Sequence, residues 1–275
     1  YAELNELVTS AAKGSFGTSK IDKIGKPETI DKDGPCGFNS GVSGASMVAT
    51  NYPSDTMIAC TWDYKMSYQF GKSLGEEGVK KLGGIEGNYG PGLNIHRSPF
   101  GGRNFEYYSE DPLLSGVLCS WQISGCKEEG MYCYVKHIAL NDSDTGRNGR
   151  YNFATEQSFR QIYAKPFEII SKGATRYDLK GKETRAYKAN AAMGSVDRIG
   201  TTRVTGSYNF LTEVLRNEWG FRGAVITDYY QSGNVNDVDE GIRVGNDLML
   251  NGAHNCNIDD TSSNTYKYYI RQAAK

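Results

Sequence analysis

The sequence predicts an α/β fold: a (β/α)8 TIM-type barrel, incomplete or with an irregular first strand. Three observations carry that prediction. Short apolar runs alternate with amphipathic stretches along the chain, the pattern of strands joined by crossover helices. Seven strand candidates occupy 275 residues, which suits an eight-stranded barrel with one strand lost, irregular or unread. Polar residues collect directly behind the apolar runs, where parallel barrels keep their chemistry. A doubly wound open sheet is the rival arrangement.

Each element has its own signal. The strand candidates, in order, are Glu28–Asp33, Thr56–Thr61, Gly84–Asn88, Met131–Lys136, Ala189–Met193, Gly223–Thr227 and Asn246–Leu250. Tyr64–Lys81 carries Met66, Phe70 and Leu74 at i, i+4 spacing, one face of a helix. Asp111–Cys126 is a helix with Pro112 in its first turn, where a missing N–H is harmless. Ala154–Lys172 repeats Phe159, Ile162, Tyr163, Pro166, Phe167 and Ile170 at the helical period. Pro166 should kink or break it. Ser207–Trp219 turns Phe210, Leu211, Val214 and Leu215 to one face and stops at Gly220. The polar stretch Arg176–Tyr187 is the candidate for an inserted loop. The chain opens and closes in helix-like runs, Leu4–Ala12 and Tyr266–Lys275, with no initiator Met. Residues 1–275 therefore read as one domain of a longer protein.

Composition bounds the function. Hydrophobic residues at 38% and charged residues at 23% support a packed core. Thirty-one basic residues against 32 acidic ones leave a net charge of −1, with no electrostatic footprint for a nucleic-acid or membrane partner. No apolar run approaches the ~20 residues of a membrane helix. Nineteen tyrosines and 33 glycines favour turn-rich loops and polar-aromatic surfaces. The six cysteines hold no C-x-x-C pair, and there are three histidines, which argues against a structural zinc site. The thiols read as free and buried. With no leader in the sequence they point to the cytoplasm, although a missing N-terminus would hide a signal. No metal or organic cofactor is implied, and a homo-oligomer stays open.

Charged residues close the strand candidates in turn. Asp33 ends the first, Asn94–Arg103 follows the third, Lys136 and His137 close the fourth, and Asp228 follows Ala224-Val225-Ile226-Thr227. A buried strand can hold a carboxylate at the rim, and nearby cations keep it ionised for nucleophilic attack. A helix N-cap or a solvated loop acid is the alternative. Lys136 and His137, two donors side by side, suit sugar hydroxyls or mark a strand end reaching solvent. Arg97 and Arg103 flank Phe100-Gly101-Gly102 without the order of a phosphate loop. Cys119, Cys126 and Cys133 recur every seven residues. Cys133 belongs to the next strand, so the spacing reads as core packing.

The longest motif is Gly90-Pro91-Gly92-Leu93-Asn94-Ile95-His96-Arg97-Ser98-Pro99, running on through Phe100-Gly101-Gly102-Arg103-Asn104-Phe105-Glu106 to Asp111-Pro112. Beside it stand Asp33-Gly34-Pro35, Lys136-His137, residues 155–168, and Val225-Ile226-Thr227-Asp228-Tyr229. Together, from about Leu4 to the end, they resemble glycoside hydrolase family 3, the β-glucosidase and β-xylosidase family. The resemblance implies the family's barrel domain and a retaining hydrolase. It would release terminal β-D-glucosyl residues from β-glucosides or short oligosaccharides through a covalent glycosyl-enzyme. A β-xylosidase, or a non-catalytic sugar-binding barrel, is the alternative.

Carried over by position, the resemblance makes Asp228 the nucleophile. Asp33, Arg103, Lys136 and His137 match residues that hold sugar hydroxyls. Arg147 matches a further binding arginine, Met193 a pocket-lining residue, and Tyr229 stands where many members have Trp. The family usually has an aromatic residue three positions after Met193; this sequence has Val196, then Asp197 where Asn is common. The segment Ile138–Arg147 lacks the His that one subgroup uses as acid/base. The resemblance therefore places the acid/base, a Glu, outside this chain, on an α/β sandwich domain that precedes the barrel in the inverted domain order.

Overall fold

The computed structural model describes residues 16–38, 48–177, 179–229 and 238–250. Six strands make the central sheet: β1 (Gly17–Thr18), β2 (Thr29–Asp33), β3 (Ile85–Tyr89), β4 (Tyr132–Ile138), β5 (Ala191–Gly194) and β6 (Ala224–Thr227), neighbours in that order. Short β1 lies antiparallel to β2, with Gly17 opposite Ile30. Every later pair is parallel, through Ile30–Ile85, Gly87–Tyr132, Tyr134–Ala191 and Ala191–Ala224. Leu248 adds a parallel bridge to Ile226 beyond β6. Consecutive parallel strands with helices between them make the expected barrel, incomplete among the described residues and irregular at its first strand.

Period-two alternation sorts the strand side chains into two cores. Tyr89, Tyr134, Ala191, Met193 and Ile226 face the barrel interior as one cluster. Cys133, Val135, Ala192 and Val225 face outward into the larger core beneath the helices. Cys119 and Cys126 are buried in that same core, and the five described cysteines are free thiols.

Helix α1 spans Asp55–Cys60, α2 Tyr64–Glu76, α3 Pro112–Glu128 and α4 Lys165–Lys172. Asp111 caps α3, its carboxylate accepting from Leu114 N at 2.7 Å, with Pro112 in the first turn. Helix α3 is buried along Ser115–Cys126, and Ser120 and Ser124 satisfy their hydroxyls on the carbonyls of Gly116 and Ser120. Two glycines let α2 and α3 touch backbone to backbone. A Cβ on Gly71 would stand 2.0 Å from Gln122 O, and one on Gly125 2.1 Å from Tyr68 O. Phe70 and Leu74 are buried on α2, whereas Met66 is half exposed and lies off the packed face.

Several elements differ from expectation. Thr56–Thr61 is helix α1, not a strand. Its apolar run is too short to separate the two by period, and Ser54 decides by capping the helix, its side chain accepting from Met57 N. Asn246–Leu250 supplies only the bridge at Leu248. Arg176–Tyr187, expected as an inserted loop, falls largely within a hairpin, Thr175–Tyr177 against Glu183–Arg185. The helix around Pro166 is broken as Pro requires. Phe159–Tyr163 is wound in wide turns, with Ala164 N bonding Phe159 O at 2.8 Å, and α4 starts anew with Pro166 in its first turn. Asn209–Glu218 is also wound wide and stops before Gly220, whose φ is 72°. Leu4–Ala12, Tyr266–Lys275, His254 and Cys256 lie outside the described residues.

Candidate active site

The inward-facing series on each strand ends in a functional group at the C-terminal edge. On β2 it runs Asp31, Asp33; on β4, Tyr132, Tyr134, Lys136; on β5, Ala191, Met193; and on β6, Ile226, then Asp228 just beyond. These ends converge on a cavity of about 310 Å³. Asp33, Arg103, Lys136, His137, Arg147, Met193, Asp228 and Tyr229 all line it, so the nucleophile candidate and the seven candidate sugar-binding residues meet in one place. Phe16, Tyr89 and Leu250 complete the lining; no motif marked them. Val196, at the position where an aromatic was missing, is buried in the core and does not line the cavity.

Lys136 and His137 are neighbours and should point to opposite faces of a strand. The β4–β5 register shifts between Val135 and Ile138, and both side chains reach the cavity. The peptide bond between them is cis. The Asn94 side chain holds His137 by both backbone groups: Nδ2 donates to His137 O and Oδ1 accepts from His137 N, each at 2.7 Å.

One ion network occupies the Asp33 side. Lys136 Nζ donates to Asp33 Oδ1 at 2.7 Å and lies 3.4 Å from Glu106 Oε2. Arg103 Nε donates to Glu106 Oε1. Burial opposes the charge on Asp33, but Lys136 and Arg103 outweigh it and hold the carboxyl below its ordinary range. Burial likewise opposes the Lys136 charge, and Asp33 and Glu106 reverse that, so the ammonium binds its proton more tightly than usual. Glu106 is 2% exposed. It stands within the longest motif with nothing in the sequence to assign it a role; its i, i+3 spacing from Arg103 is the available signal.

A second network holds Asp228. Arg147 donates to Asp228 Oδ2 at 3.1 Å, and His137 Nε2 lies 3.8 Å from the same oxygen. Tyr229 N donates to Oδ1 at 2.7 Å, and Asp228 N donates to Gly194 O at 3.0 Å. Burial, reinforced by Arg103, Lys136 and Arg147, pushes His137 well below the usual histidine range, so it is neutral. Asn141 Nδ2 donates to the Tyr107 hydroxyl at 2.6 Å, and that hydroxyl lies 3.2 Å from His137 Nδ1. Burial keeps Tyr107 protonated. Its proton therefore goes to Nδ1, and the Nε2–H of His137 is presented to Asp228 and the cavity.

Behind Arg147 lies Asp197, fully buried, with neither carboxyl oxygen accepting a hydrogen bond. Burial pushes its pKa up to about 7, with Asp142 and Asp144 adding to the rise and Arg150 and Arg147 opposing it. The folded protein thus holds this proton where the unfolded chain has released it. Stability from that site is full below about pH 4 and is lost as pH rises through 7. Asp197→Asn is expected to leave stability at pH 4 nearly unchanged and to raise it at pH 8 by roughly 2–4 kcal/mol. Thermal unfolding at the two pH values checks this, and an equal shift at both would contradict it.

Among the described residues no cluster of His, Cys, Asp or Glu could hold a metal ion, and none of their helices is long and apolar enough to cross a membrane. The arrangement places the Asp228 carboxylate beside a guanidinium and a neutral imidazole, facing a wall made by Asp33, Lys136 and Arg103.

Comparison with known proteins places this geometry. Residues 36–250 match the Glycosyl hydrolase family 3 N terminal domain. Beta-glucosidase A of Butyrivibrio fibrisolvens is 34% identical over 240 residues, covering 86% of this chain and 26% of that protein. The crystal structure of the GH3 beta-glucosidase of Bifidobacterium adolescentis superposes with a TM-score of 0.80 at 28% identity, over 96% of this chain and 36% of that one. The Kluyveromyces marxianus beta-glucosidase in complex with glucose gives 0.82 at 26% identity, over 96% and 30%. The chain thus spans about a quarter of that curated relative and a third of the solved structures. With most of its length matched to the family's domain and its fold shared with solved members, the chain belongs to glycosyl hydrolase family 3.

Proposed function

We propose that the protein is a retaining β-glucosidase that removes terminal non-reducing β-D-glucosyl units, and that this chain carries the nucleophile and the sugar-binding cavity. The observation that carries the reading is the placement of Asp228. Its carboxylate meets Arg147 and His137 at the rim of a cavity walled by Asp33, Lys136 and Arg103. Asp228 would attack the anomeric carbon as the bond to the leaving oxygen breaks, giving a glycosyl-enzyme. Water would then attack the same carbon and release Asp228. The imidazole N–H, the ammonium and the guanidinium would hold the ring hydroxyls, and the ionised Asp33 and the Asp228 carboxylate would strengthen their hold as positive charge develops on the sugar.

The leaving oxygen needs a proton donor. Asp33, the other carboxyl lining the cavity, is held ionised by Lys136 and serves as an acceptor instead. We place the acid/base Glu outside this chain, on a further domain of the same protein. The short span of the chain against its relatives supports that placement.

Trapping tests the reading. A 2-deoxy-2-fluoro-β-glucosyl donor with an activated leaving group needs little acid assistance. Peptide mass spectrometry should find its adduct on Asp228. An adduct on another residue, or none in an intact protein that hydrolyses β-glucosides, would overturn it.

A further inference from the structure

A second cavity, of about 440 Å³, lies beside the first. Leu140, Asp142, Tyr151, Phe153, Phe159 and Tyr163 line it. The end of β4 and the segment after it serve both: His137 and Arg147 line the first cavity, Leu140 and Asp142 the second one.

Three features set the second cavity apart from a packing gap. Two of its four aromatic residues are displayed, Tyr151 53% and Phe153 77% exposed, and with the Arg198 guanidinium over the Tyr151 ring at 4.6 Å the Phe153 ring is the open apolar face. Asp142 keeps one carboxyl oxygen buried without a hydrogen-bond partner, a cost that a ligand's donor would remove. Tyr163 presents a hydroxyl already taking a hydrogen bond from Arg97 at 2.5 Å. An apolar ring face beside a carboxylate acceptor and a hydroxyl matches a pyranose, which offers C–H faces to aromatics and hydroxyls to polar groups. The unpaired carboxyl disfavours an anionic ligand.

We propose that this cavity is a second carbohydrate-binding site, taking a pyranose unit of a β-linked gluco-oligosaccharide outside the catalytic cavity. The choice of sugar rests on the β-glucosidase reading. The site would hold longer substrates near the protein without taking part in bond cleavage.

The test uses the intact protein and cellotetraose. The catalytic cavity is first blocked with the 2-fluoroglucosyl adduct, and binding is then measured by calorimetry. Binding should persist in the blocked protein. Phe153→Ala and Asp142→Asn should each weaken it by about tenfold. Both variants should hydrolyse a nitrophenyl β-glucoside within about twofold of the parent. Phe153 is exposed, so its removal leaves the core intact. A blocked protein that binds no cellotetraose overturns the proposal, as does binding that both variants leave unchanged. Failure of the β-glucosidase reading shows separately, as absent adduct and absent nitrophenyl glucoside hydrolysis. Cellotetraose binding and its loss in Phe153→Ala are then still readable on the unblocked protein.

Discussion

Asp228→Ala is expected to lower kcat/KM for a nitrophenyl β-glucoside by on the order of 10⁴-fold, with glucose affinity changed only a few-fold. The split follows from the geometry. On the proposed reading Asp33, Lys136, His137 and Arg103 would hold the sugar without help from Asp228, so binding should survive while bond formation at the anomeric carbon should not. Azide provides the sharper arm. The void left by the carboxylate admits a small anion on the face opposite the leaving group. With an activated donor, azide should restore turnover and yield an α-glucosyl azide. Steady-state kinetics and product analysis on the intact protein check both arms. Full turnover in the variant would remove Asp228 from the mechanism.

Lys136→Met should be nearly as severe, through stability as well as activity. Lys136 is 2% exposed and stands between Asp33 and Glu106. Its removal leaves the buried Glu106 carboxylate and the cavity-lining Asp33 carboxylate without their ammonium, a loss of about 2–3 kcal/mol, below that of a fully buried pair because the Asp33 side chain is 43% exposed. The sign with pH can be worked out. Asp33 is depressed, so its contribution is present above the ordinary carboxylate pKa and disappears as pH falls below it. Lys136 is raised, so its contribution is present below the ordinary lysine pKa and is lost as pH rises above it. The stability gap between parent and variant should therefore be widest at neutral pH and shrink below about pH 4. Adding Glu106→Gln to Lys136→Met should recover part of the loss, and a double-mutant cycle reads the coupling. A pH-independent gap would mean that the lysine acts by packing alone.

The barrel was legible in the sequence because parallel strands buried on both sides stand out as apolar runs, and five of the seven candidates are strands of the sheet. The site was legible because β2, β4 and β6 each deliver a charged residue at the end of such a run. What stayed hidden was hidden for physical reasons. Thr56–Thr61 is too short to show a period, and the cap at Ser54 outweighs its apolar character. The inward turn of both Lys136 and His137 depends on a register shift that no alternation pattern encodes. Glu106 acts through Arg103 and Lys136 rather than by facing the cavity, so only the folded arrangement assigns it a task. Phe16 and Leu250 reach the lining from distant parts of the chain.

The order of the sheet bears on how the site forms. Ile30 must find Ile85, Tyr134 must find Ala191, and each parallel pair closes a long loop before it gains any hydrogen bond. Asp33 sits at one side of this series and Asp228 at the other. No fragment that stops short of β6 can bring the two together, however well its helices form. Recovery of the fluoroglucosyl adduct on Asp228 during refolding would thus be a clock for completion of the whole sheet, and on the proposed reading a nascent chain stays silent until Asp228 has emerged and docked.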